Sequence, residues 1–275
     1  FVKREDFVRS VEKDEAATDG VVGGWLATDA SVVGSIVTVN TTSLFQAALY
    51  KASGLDGVEA ESKGTVTGAG LKVEYRGSSS EWYQLYRKIA GAVRALLGLV
   101  QPLTEEVKKA AEENVERLEG ARGAVKALVD RLLAEGRLSV SKAAGLSAKE
   151  AAEKAKKAAE DILSIEAAEK IDPAEHSAYG RVYYPLVDLL LRDASEVEFA
   201  QFFTTAVFGD GTINPYYVEL TLGEFGSDKL PYDRFHKLAL WLAVVEKYRP
   251  VFEKYGVDIT PGVYVGKDAI YLRFT

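Results

Sequence analysis

Glu198-Phe199-Ala200-Gln201-Phe202-Phe203-Thr204-Thr205-Ala206-Val207-Phe208-Gly209-Asp210-Gly211-Thr212-Ile213 is the stretch on which the reading of this chain turns. Residues 199–208 read as a helix packed into a core. The Gly-Asp-Gly that follows reads as its end, because glycine accepts positive φ and aspartate bonds its own backbone. The same acid, held at a helix end before a strand, can instead serve as a ligand. Downstream come a strand at 217–222, a long helix at 232–255, and two β-prone runs at 263–265 and 269–274 joined by Gly266-Lys267-Asp268.

The same order of elements occurs near the N-terminus. A short apolar helix at 21–28 reaches Asp29, a strand follows at 35–40, then a helix at 43–52 and two β-prone runs at 58–67 and 71–75 around Gly68-Ala69-Gly70. Helix, acid, strand, helix, hairpin, written twice, implies an α+β fold built from duplicated α-β-α-β-β halves about a pseudo-two-fold axis. The halves share little sequence, so the duplication rests on element order. The expected division is an N-terminal half at 1–80, a helical insertion at 81–180 and a C-terminal half at 181–275.

The insertion is rich in Ala, Glu and Lys. A helix is expected from Ser80 to a break at Pro102. A second carries Val107, Ala111, Val115 and Leu118 on one face, and a third begins after Gly123 and ends at Gly136. A fourth, polar helix is expected over 147–168, so that 101–168 should be almost wholly helical. Within it, residues 138–150 resemble a helix-turn-helix, with Gly145 at the tight turn.

The stretch 198–213 resembles the signature helix of the LAGLIDADG homing-endonuclease family, an apolar helix that ends in an acid-glycine pair before a strand. Trp25-Leu26-Ala27-Thr28-Asp29-Ala30-Ser31 is a second, less regular copy, with Ala30 where the family has glycine. The resemblance implies that the two helices pack together and that their terminal acids, Asp29 and Asp210, bind Mg²⁺ between them as the catalytic site of phosphodiester cleavage. Carboxylate-held Mg²⁺ polarises a phosphoryl oxygen and activates water, which is why such chemistry needs paired acids. The flanking sheets would lie along double-stranded DNA, with Lys63, Lys72, Arg76, Lys267 and Arg273 as phosphate contacts. The C-terminal quarter also resembles a multicopy, repeat-associated protein family of hyperthermophilic crenarchaea. The matching words are Gly180-Arg181-Val182-Tyr183-Tyr184-Pro185-Leu186, Phe208-Gly209-Asp210-Gly211 and Ser227-Asp228-Lys229-Leu230-Pro231. Multicopy behaviour fits a mobile element or a protein derived from one.

Composition limits the alternatives. The 275 residues carry a formal charge of −7 and 47% hydrophobic residues, which is globular composition and excludes DNA binding driven by bulk positive charge. There are no cysteines, so disulfides, thiol catalysis and Cys-ligated zinc are excluded. Neither a nucleophile-elbow Gly-x-Ser-x-Gly nor a phosphate-binding Gly-x-x-x-x-Gly-Lys-[Ser/Thr] occurs, and His176 and His236 suggest no triad. No apolar run reaches membrane-spanning length. Residues 1–19 are too charged for a signal peptide, so a cytoplasmic protein is expected, and the pseudo-two-fold symmetry suggests a monomer over an obligate oligomer. Abundant Glu, Lys and Ala without cysteine would suit a thermophile. The other class of function compatible with the sequence is a non-catalytic interaction or scaffold protein on a degenerate form of the same fold.

Overall fold

A computed structural model describes residues 15–28, 30–33, 36–41, 65–67, 70–78, 105–164, 167, 185–224, 232–256 and 259–275. The chain is a mixed α+β protein. Helix α1 (Glu15–Ala27) leads to strands β1 (Ala30–Val33), β2 (Ile36–Thr41), β3 (Thr65–Thr67) and β4 (Gly70–Ser78), which form an antiparallel sheet in the order β1-β2-β4-β3. Helix α2 (Glu105–Ala134), strand β5 (Leu138–Val140), a 3-10 turn at Lys142–Ala144 and helix α3 (Ala148–Ile162) follow. After a helical segment at 185–191 come α4 (Glu196–Asp210), β6 (Gly211–Ile213), β7 (Val218–Leu222), α5 (Arg234–Lys247), α6 (Arg249–Lys254), β8 (Pro261–Val265) and β9 (Ile270–Phe274). The second sheet is mixed, in the order β5-β8-β9-β7-β6; β5 runs parallel to β8 and every other pair is antiparallel.

Period-two alternation builds the inner face of this sheet. Val263, Val265, Ile270, Leu272 and Phe274 point into the core together with Leu220 and Leu222 of β7. Against them lies α5, buried from Leu238 to Val245 and including Trp241. Helices α2 and α3 cover its other side. Leu118, Val125, Leu128, Val129 and Leu132 of α2 meet an alanine face of α3 (Ala151, Ala152, Ala155, Ala158, Ala159) that ends at Ile162. Each buried Leu or Val stabilises by about 1.5–3 kcal/mol, and the alanines let the helix axes approach closely.

Local chemistry explains where the elements depart from expectation. Residues 105–134 are one helix, not two. Gly120 and Gly123 each cost about 1 kcal/mol relative to Ala, less than the apolar stripe returns. Helix α3 ends at Ile162, with Leu163 as its C-cap, instead of running on to 168. The helix expected over 232–255 divides at Tyr248, because Pro250 has no N–H to continue it. Residues 138–150 form no helix-turn-helix: Leu138–Val140 is a strand paired with β8, and Ser147 starts α3 through a reciprocal capping box with Glu150. The segment 101–168 is therefore not wholly helical. It supplies a strand to the C-terminal sheet and shares one core with 186–274. The helices expected at 43–52 and over 80–102, and most of the β-prone run at 58–67, lie outside the described residues.

Candidate nucleic-acid interface

Helices α1 and α4 meet backbone to backbone. A Cβ on Gly20 would lie 2.2 Å from the Glu198 carbonyl oxygen and 3.0 Å from Gln201 Cβ; one on Gly23 would lie 3.0 Å from Phe202. On Gly24 it would lie 2.0 Å from Thr205 Oγ1, 2.5 Å from the Phe202 carbonyl oxygen and 3.0 Å from the Ala206 nitrogen. Only glycine fits at Gly20 and Gly24, where backbone oxygens stand within 2.5 Å, while at Gly23 the Phe202 ring would have to give. The contacts advance in step, Gly20 with 198 and 201, Gly24 with 202, 205 and 206, so the two helices run in the same direction. The spacing of Gly20, Gly23 and Gly24 places all three on one face. Thr205 is fully buried in this seam and donates its hydroxyl to the Gln201 carbonyl at 2.7 Å, removing its need for an outside partner.

An ionic clamp holds the entry to α4. Arg192 donates Nη1 to Glu198 Oε2 at 2.8 Å and Nη2 to the second Glu198 oxygen, while its Nε bonds Asp188 at 2.6 Å. Glu198 is buried. Its hydrogen bonds raise the Arg192 pKa still further above the usual guanidinium value, against burial. Ser195 caps the helix by accepting from the Glu198 N–H at 3.1 Å. Nearby, Lys247 Nζ donates to the Leu189 and Leu190 carbonyls at 2.9 and 3.1 Å and to that of Arg192, a cation on the end of the helical segment 185–191. Burial pushes its pKa down even though Asp193 lies 3.3 Å away, since that carboxylate is largely exposed. Burial also pushes the Tyr248 phenol up to about 12, and its O–H donates to the Leu189 carbonyl at 2.9 Å.

At the far end of the seam Asp210 is exposed and is itself the last residue of α4. The helix continues through Gly209, and Gly211 follows it in an extended conformation (φ −106°), not at positive φ. Glycine is needed there for another reason: a Cβ would lie 2.2 Å from the Val207 carbonyl oxygen. Asp29 lies outside the described residues, between Thr28 and Ala30. Among the described residues no group of three or more His, Asp or Glu could hold a metal ion.

The outward face of the five-stranded sheet carries Ser139, Thr212, Glu219, Thr221, Tyr264, Tyr271 and Arg273, set by strand alternation and register. Arg273 Nε–H donates to Glu219 Oε2 from the neighbouring strand. Its guanidinium carbon lies 5.0 Å from the Tyr217 ring centroid and 5.3 Å from that of Tyr264. Lys267 is exposed in the β8–β9 turn, where its carbonyl accepts from Arg234. Lys72 and Arg76 sit on β4 opposite Thr65 and Thr38; Lys63 and His176 lie outside the described residues. His236 is buried at the start of α5. It belongs to the capping box of α5, where its Nδ1 lies 2.9 Å from the Asp233 backbone nitrogen and 3.0 Å from Asp233 Oδ1, serving one or the other according to the tautomer.

No protein-family model, curated protein or solved structure matches this chain. No described helix is long and apolar enough to cross a membrane. The glycine seam, the Arg192–Glu198 clamp and the Glu219 partner of Arg273 are absent from the sequence-level reading. The seam had a signal, since Gly20, Gly23 and Gly24 within an apolar run mark a close helix contact. The other two pairs join residues whose proximity depends on the fold.

Proposed function

We propose that the protein binds double-stranded DNA through two sheets joined at the α1–α4 seam, in the manner of the LAGLIDADG-like fold. The observation that carries this reading is the seam itself: two helices packed in the same direction through glycines, each followed directly by a sheet. Read outward from its helix, each sheet runs first strand, second, fourth, third: β1-β2-β4-β3 and β6-β7-β9-β8, with β5 added at the edge of the latter. That agreement supports duplicated halves with residues 81–180 as an insertion. It also brings the ends of α1 and α4 to one side, because Ala206 faces Gly24 and each helix has about one turn left to run.

Asp210, with Asp29, would hold Mg²⁺. Two carboxylates form a sparse donor set, and Mg²⁺ takes one or two carboxylates while completing its shell with water and substrate phosphate. The exposed side chain of Asp210 at the negative end of a helix dipole suits a cation. Bound there, the ion would neutralise charge on the phosphodiester and lower the pKa of water. The two carboxylates would hold the ion, and the sheets would position the duplex beside it. Asp29→Asn or Asp210→Asn should then abolish Mg²⁺-dependent cleavage while leaving DNA binding similar or tighter.

Lys72 and Arg76 are the phosphate contacts in this reading, with Lys63 and Lys267. Fluorescence anisotropy on a labelled duplex over a range of salt tests it. Affinity should fall with a slope of about −0.9 per phosphate contacted, and Lys72→Ala with Arg76→Ala should flatten it. A second reading, a protein-interaction scaffold, is favoured by the near-neutral described sheet face and by Ile213 and Tyr216, 61% and 84% exposed at its β6–β7 end. No duplex binding at low salt would select that reading.

A further inference from the structure

The geometry points to Arg273 as a guanine-reading residue rather than a phosphate contact. This inference rests on the duplex-binding reading above. A guanidinium reads guanine by presenting two N–H groups to O6 and N7 in the major groove, and it does so best when its plane is fixed beforehand. Each part of that requirement is present. The Nε–H, which faces away from the fork, is taken by Glu219 on β7. The guanidinium carbon lies over the rings of both Tyr217 and Tyr264, 5.0 and 5.3 Å from their centroids, which restricts its swing. The residue paired with Arg273 on β8 is Gly262, so no side chain stands beside the fork on that strand. A Cβ at Gly262 would meet nothing nearer than the Arg137 carbonyl oxygen at 3.7 Å, so crowding does not require glycine there. The room it leaves is open to a base edge. Arg273 keeps 38% of its side chain exposed, whereas Glu219 keeps 10%; the carboxylate is a support behind the fork and not a competing surface charge.

A phosphate contact has no need of this arrangement. Phosphate binding requires charge near the backbone, and a buried carboxylate on the same guanidinium would weaken it. Base reading requires orientation, which the carboxylate supplies. Glu219 is thus a positioning residue for Arg273.

The test is selection from a randomised double-stranded DNA library by the full-length protein, with Arg273→Lys and Glu219→Ala in parallel and circular dichroism to verify folding. Wild-type protein should enrich guanine at one position by roughly 5- to 150-fold, the discrimination of one bidentate pair. Arg273→Lys keeps the charge and loses the fork, so enrichment at that position should vanish while affinity for unselected duplex stays within about threefold. Glu219→Ala should also lose the preference, with unselected affinity equal or higher because a negative charge is gone. Retention of the guanine preference in folded Arg273→Lys overturns the inference. So does a variant whose only change is a shallower salt dependence. If the wild type binds no duplex from the library at low salt, the duplex-binding reading itself fails and the inference falls with it.

Discussion

Three glycines in α1 set how closely it approaches α4. Gly24 is the most constrained, with Thr205 Oγ1 and the Phe202 carbonyl inside any Cβ radius. Gly24→Ala should therefore destabilise by roughly 1–3 kcal/mol, as overpacking does elsewhere, read from the urea midpoint. Gly120 is the internal control. It lies in α2, exposed beside a cavity of about 410 Å³, and a Cβ there meets nothing within 4 Å. Gly120→Ala should stabilise by about 0.5–1 kcal/mol through helix propensity and a less mobile unfolded chain. Equal effects at the two positions would mean that α1 and α4 are not in backbone contact. At this scale the sequence is legible for types and not for partners. The apolar run 199–208, the acid at 210 and the strand alternation at 263–274 can all be read directly. The reason for Gly211 cannot, since a close carbonyl and a positive φ both call for glycine.

From α4 to β9 the order of elements is legible, because periodicity is local, except for β6 (Gly211–Ile213), which follows the helix where the sequence suggests only a stop; the ends of the elements depend on caps and neighbours. Pro250 divides the last helical stretch, and β5 forms because β8 offers an edge to a run, Leu138-Ser139-Val140, with no local preference strong enough to reveal it. The clamp on α4 makes a testable unit. Arg192→Met leaves Glu198 buried beside an apolar chain. Removing one partner of a buried pair costs about 3–5 kcal/mol, and with Arg192 41% exposed water lowers this to roughly 2–3 kcal/mol. Arg192→Met with Glu198→Leu should recover most of that loss, giving a coupling energy above about 1 kcal/mol in a double-mutant cycle. The cap of α5 adds a pH dependence. Burial raises the Asp233 pKa, but the His236 ring and the Phe235 N–H more than offset it, and the net value lies below 3.8. A carboxylate with a lowered folded pKa stabilises fully above its unfolded value, and the contribution is lost as pH falls through the folded one. Stability should therefore decline between about pH 5 and pH 2 more steeply in wild type than in Asp233→Asn, which keeps an N-cap of similar quality at neutral pH.

At the scale of the whole molecule, the sequence suggested two flanks with helices between them. The described part of 81–180 shares its core with 186–274, through contacts of α2 and α3 with α5 that no local pattern announces. The duplex-binding reading depends on one spatial relation, that α1 and α4 end together and bring positions 29 and 210 to the junction of the two sheets. The chain has no cysteine, so Asp29→Cys with Asp210→Cys introduces the only two thiols, and a short bifunctional maleimide measures whether they meet. An intramolecular crosslink within one chain, forming at low protein concentration and absent when either cysteine is omitted, is the expected result. Efficient labelling of both thiols without any crosslink would contradict it, and with it the acid pair and the two-sheet platform built around it.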